Sequence, residues 1–136
     1  VYQATLPLAG TQAVGTGCAS ATPPVLAATS PVIGTGTTFS MTAARPNAFV
    51  FFAVAFGGPV NVPLGGCIVH VDLPNAHAYL TGSTTGTGAW SHPLALPAIP
   101  SLVGLQLTAQ TMLLGSSGPM FGIGDLSTGL HLFLGL

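Results

Sequence analysis

Charge is what this chain has least of. Its 136 residues include one cation, Arg45, and two anions, Asp72 and Asp125, with no Lys and no Glu; charged residues make up 2%, against about 25% in ordinary soluble domains. Binding to nucleic acid through phosphate needs clustered Lys and Arg, so it is excluded. A basic helix lying on a membrane surface is excluded for the same reason. Two carboxylates leave little material for acid–base catalysis. Long apolar runs are also missing. The longest is Ala48 to Phe56, nine residues closed by Gly57-Gly58-Pro59, whereas a spanning helix needs about 20. No membrane span is expected. Phosphate-loop and dinucleotide fingerprints are absent, and Gly115-Ser116-Ser117-Gly118 is not a G-x-S-x-G nucleophile elbow. No catalytic residue is assigned, and no enzymatic activity or cofactor is expected.

What is present is apolar, small or turn-forming. Hydrophobic residues make up 49% of the chain, with 19 Gly and 12 Pro spread along it. No window of helical length has a clean 3.6-residue apolar period. Short apolar runs bounded by turn signals are the pattern of an all-β fold, so we expect a single antiparallel β-sandwich, jelly-roll-like, of about nine strands. The expected strands are Tyr2 to Leu8, Thr37 to Ala43, Ala48 to Phe56, Cys67 to Leu73, Ala76 to Thr81, Ala89 to Leu96, Leu102 to Leu114, Met120 to Ile123 and Leu130 to Leu136.

Ala48 to Phe56 carries the main functional expectation. As a strand it puts Phe49, Phe51, Ala53 and Ala55 on one face and Val50, Phe52, Val54 and Phe56 on the other. Both faces are apolar. A two-layer sandwich covers only one, so a loop, a third layer or another subunit must cover the second. A surface of Thr, Ser, Gly, Pro and Ala with so little charge makes the same demand. Burial in a regular homopolymer meets it, and so does O-linked sugar on some of the 25 Ser and Thr residues. No Asn-X-Ser/Thr sequon exists. Residues 1–16 read as an N-terminal extension and 17–136 as the sandwich domain. Tyr2, Ala4, Leu6 and Leu8 alternate on a glycine-flanked stem, so residues 1–14 are expected either to donate a strand to a neighbour's sheet edge or to form the first strand of their own sheet. Phe49, Phe51, Phe52 and Phe56 complete the expected assembly interface.

The start at Val1-Tyr2-Gln3 is consistent with a processed N-terminus. Cys18 and Cys67 each follow glycine in a turn-like context, without a CxxC or His-Cys cluster. A disulfide, which implies an oxidising compartment, is the natural reading; two buried free thiols are the alternative. The absence of Lys and the wealth of Thr, Ser and Gly suit a secreted bacterial protein. His70, Asp72 and His77 could be drawn together as metal ligands, but such residues are more often a satisfied polar pair at a sheet edge, and no metal is assigned. Trp90, beside His92, is a candidate sugar-stacking platform, although a single Trp in a small sandwich is more often core.

Several stretches occur in a familiar order: Gly17-Cys18, then Pro63-Leu64-Gly65-Gly66-Cys67 with Val71-Asp72, then Ile99 to Gln110, then Leu126-Ser127-Thr128-Gly129-Leu130. This order resembles a secreted domain frequent in predicted planctomycete and myxobacterial-type exported proteins, where Asn is usual at the position of Thr128. The resemblance spans most of residues 17–136. It implies secretion, a Cys18–Cys67 disulfide and an all-β fold, and carries over no catalytic residue. The expected function is therefore a structural subunit of an extracellular filament, tube or surface layer. The alternative is a secreted carbohydrate-binding or adhesion module.

Overall fold

The computed structural model describes residues 8–19, 22–115 and 118–136, and the backbone alone of residues 77 and 78. The chain is all-β and sandwich-like. Eleven strands form: β1 (Gly10–Val14), β2 (Val25–Ala28), β3 (Thr37–Thr42), β4 (Phe49–Phe56), β5 (Val62–Leu64), β6 (Cys67–Val69), β7 (Ala76–Ser83), β8 (Trp90–Leu94), β9 (Gln106–Leu114), β10 (Gly124–Leu126) and β11 (Gly129–Phe133). They make three sheets. The largest runs β1-β11-β9-β4-β7, with β10 also paired to β9; the second is β2-β3-β8; the third is the β5-β6 hairpin. All ladders between named strands are antiparallel.

β4 explains the layering. One of its faces carries Val50, Phe52 and Val54, which pack in the main core with Phe39 and Met41 of β3. The Phe39 and Phe52 ring centroids are 4.9 Å apart. Burying Phe52 alone contributes roughly 3 kcal/mol. The opposite face meets a second core made by Cys67, Val69, Val71, Met120 and Leu126. The second apolar face is thus covered largely by the chain itself, as a third layer. Side-chain size follows the cover: Ala53 and Ala55 lie beneath the hairpin, where layers approach closely, and Phe49 and Phe51 stand where the cover ends. The disulfide Cys18–Cys67, with Cα atoms 5.7 Å apart, ties this layer to the segment whose Cys18 bridges Leu126 of β10.

Several expected elements are corrected. Gly10–Val14 pairs along its length with β11 of its own sheet. Residues 10–14 are thus paired within the chain, as the first strand of their own sheet. Residues 1–7, with Tyr2, Ala4 and Leu6, lie outside the described residues; Leu8 is exposed. The expected strand Cys67 to Leu73 stops at Val69, because the His70 amide donates to Gln110 Oε1 (2.8 Å) instead of to a strand. Leu102 to Leu114 begins as a 3-10 turn, Pro100–Leu102, and becomes strand only at Gln106, after Gly104 at φ +86°. Met120 to Ile123 is a turn, with Phe121 at φ +53°, and the strand follows it at Gly124. β2 and β5 were not expected.

Candidate functional site

The expected interface residues separate by depth. Phe52 is 1% exposed and belongs to the core, so it is not available to a partner. Phe51 is half-buried against the second core. Phe49 is 47% exposed, and Phe56 is exposed at the other end of β4. Cross-strand register sets Phe49 opposite Ser83, Phe51 opposite Thr81 and Ala53 opposite Tyr79. The Phe51 and Tyr79 rings lie 5.3 Å apart. On the other side of β4, Phe49 and Phe51 face Leu114 and Met112 of β9. Phe49, Phe51 and the exposed Tyr79 therefore form one aromatic strip on the outer face of the large sheet, beyond the third layer.

That strip ends at β7, a sheet edge. β7 is eight residues long, and among the described residues no strand pairs with its outer side. Edge strands are usually blunted by Lys, Pro, shortness or strong bulges. β7 reads Ala-His-Ala-Tyr-Leu-Thr-Gly-Ser and has no charged residue and no Pro; its one irregularity lies at the Ala76 end, opposite Val54 and Ala55. Its unpaired N–H and C=O groups are a template for another extended chain.

The polar candidates fall apart as a cluster. His70 is 6% exposed, and its Nδ1 lies 3.0 Å from Val60 O. Asp72 accepts from Asn75 Nδ2 at 2.8 Å on the surface, and the His77 side chain lies outside the described residues. No group of three His, Cys, Asp or Glu able to hold a metal occurs among the described residues. Trp90 is half-buried against the main core, its ring 5.2 Å from Phe52 and stacked on His92 at 6.3 Å. Its indole also closes over Gly82 of β7. Packing with its neighbours occupies much of the stacking surface a sugar would use. His131 pairs with Gln106 through Nε2 (2.8 Å), and its ring packs at a tilt against Phe133; partial burial holds its pKa below the usual value of 6.5.

Two features escaped the sequence. One is the ion pair of Arg45 Nη2 and Asp125 Oδ2, 3.6 Å apart, in which the Asp125 side chain is 5% exposed. Among the described residues, Oδ1 of this carboxylate has no hydrogen-bond partner. The scarcity of charge was itself the available signal: a chain with three charged residues has few ways to compensate a buried one. The other is a groove beside the disulfide, where His70 meets Gly15.

No helix among the described residues is long and apolar enough to cross a membrane. No family model, curated protein or solved structure matches the chain.

Proposed function

We propose that this chain is a structural subunit of an extracellular assembly, a filament, tube or surface layer built from copies of itself. The observation that carries the reading is the open edge of β7, eight uncharged residues bordered by Phe49, Phe51 and Tyr79. Strand addition at this edge satisfies its backbone groups, and contact along the strip removes aromatic surface from water. Arg45 and Asp72 are the only charged residues that are not buried, so there is little electrostatic repulsion to oppose close approach of identical surfaces. The disulfide supports assembly in an oxidising compartment outside the cytosol. O-linked sugar on exposed Ser and Thr is compatible with the same role.

Negative-stain microscopy of native material, with an intact-mass spectrum of the same sample, tests this. Ordered polymers that disappear in Thr81→Lys, a charge on the exposed edge, support it. Dispersed particles at the unmodified 13.5 kDa mass contradict it.

A further inference from the structure

We propose that the open edge of β7 takes a second copy of this chain, edge to edge: β7 pairs antiparallel with the β7 of its partner about a two-fold axis through Thr81. The pairing presupposes the self-assembly proposed above and names its partner strand and register.

The backbone of β7 sets which groups the edge offers. The Thr84 N–H donates to Ala48 O, on the β4 side. Backbone groups alternate sides along an extended strand, so Gly82 and Leu80 also turn toward β4. Tyr79, Thr81 and Ser83 then present their N–H and C=O to the open edge. Their side chains share the outer face with Phe49 and Phe51 and are exposed. Toward the start of the strand this regularity ends at residue 77, which has no counterpart where the register shifts between Val54 and Ala55.

Strand direction selects the partner. The order β1-β11-β9-β4-β7, antiparallel at every step, makes β1 and β7 run the same way. Copies stacked head to tail with their layers on one side would set β7 on β1 in a parallel ladder. Such a ladder is less stable per residue, and β1 has only five residues. Pairing β7 with β7 about a two-fold axis is antiparallel by symmetry. The edges of the second sheet are poorer, because β8 holds Pro93 and β2 is four residues long. Charge favours the same order. Asp72 precedes the start of β7, and Arg45 O accepts from Thr84 Oγ1 just past its end. Antiparallel pairing sets the Asp72 end of one copy beside the Arg45 end of the other, whereas a parallel β7 pair would bring like charges together.

The register follows from the side chains. Setting Thr81 opposite the partner's Thr81 uses the free groups of Tyr79, Thr81 and Ser83 on both copies and does not meet residue 77. Each Tyr79 then faces the partner's Ser83, with the partner's Phe49 next in the row. Two exposed rings flank one small side chain, and the symmetry repeats the arrangement. A slip of one pleat toward the strand start brings residue 77 into the ladder, and a second sets Tyr79 against the partner's Tyr79.

Sedimentation velocity of the wild-type protein reads its association, and mild oxidation of cysteine variants reads the register. Directly opposed residues in a hydrogen-bonded antiparallel pair have Cα atoms about 5.5 Å apart, within disulfide reach. We expect Thr81→Cys to form a covalent dimer with Cys18–Cys67 intact. Ser83→Cys alone should form none, because its Cα atoms would lie beyond about 7 Å, but mixed with Tyr79→Cys it should cross-link to that variant. The mixed pair carries the test if Thr81→Cys does not fold. Ser83→Cys that cross-links as well as Thr81→Cys would overturn the register. Wild-type protein that associates while neither Thr81→Cys nor the mixed pair cross-links overturns the β7 pairing and leaves self-assembly to another surface. Wild-type protein that stays monomeric at every concentration overturns both.

Discussion

Arg45 and Asp125 join the chain's only cation to its only buried anion, at 3.6 Å, with the carboxylate almost fully removed from water and the guanidinium at the surface. The pair bridges the loop before β4 to β10, so it ties the start of the central strand to the strand that the Cys18 segment bridges. Removing one partner of such a pair leaves the other buried without its counterion.

Arg45→Met should therefore destabilise the fold by about 1–3 kcal/mol, less than for a fully buried pair because Arg45 is partly solvated. Arg45→Met with Asp125→Asn should recover part of that loss. Urea midpoints across this double-mutant cycle check it: additive losses would mean that the pair contributes nothing.

The phenylalanines of β4 should separate sharply. Phe52→Ala removes a ring from the main core and should cost about 3–5 kcal/mol. Phe49→Ser should change stability by less than about 1 kcal/mol and weaken self-association instead. Thermal unfolding and sedimentation velocity on the two variants read both effects.

Opening the disulfide should loosen the third layer first. Cys18→Ser with Cys67→Ser should cost about 4 kcal/mol in the chain-entropy view, given a sequence separation of 49. Hydrogen exchange should show β5 and β6 losing protection before β4 and β9 do. Uniform loss across all sheets would contradict the layered description.

His131 gives a pH dependence of known sign. Its folded pKa lies below 6.5 because burial disfavours the imidazolium. Its contribution is complete above 6.5. As pH falls below that value the unfolded chain takes up the proton first, so stability drops until the folded pKa is passed. Melting temperatures from about pH 8 to about pH 5 should decline, and His131→Gln should flatten part of the decline. A variant with an unchanged profile would remove His131 as the cause.

The all-β class was legible because glycine and proline break every helical period, and β4 stood out because nine apolar residues end at Gly57-Gly58-Pro59. Both of its faces were correctly read as needing cover. What supplies most of that cover, the β5-β6 hairpin, was not legible: Val62–Leu64 is three residues long with Pro63 in its centre, too little for a periodic signal. The edge position of β7 depends on strand order, which sequence pattern does not carry. His70 looked like a sheet-edge residue because alternation was extrapolated past Val69; the side chain of Gln110, far away in sequence, ends the strand there.

Amide hydrogen exchange of β7 in the native assembly, compared with the dissociated subunit, tests strand addition most directly. We predict that the amides on the outer edge of Ala76–Ser83 exchange quickly in the subunit and become protected in the assembly, and that Thr81→Lys removes both protection and polymers. Polymers in which the β7 edge exchanges as fast as in the free subunit would contradict the account.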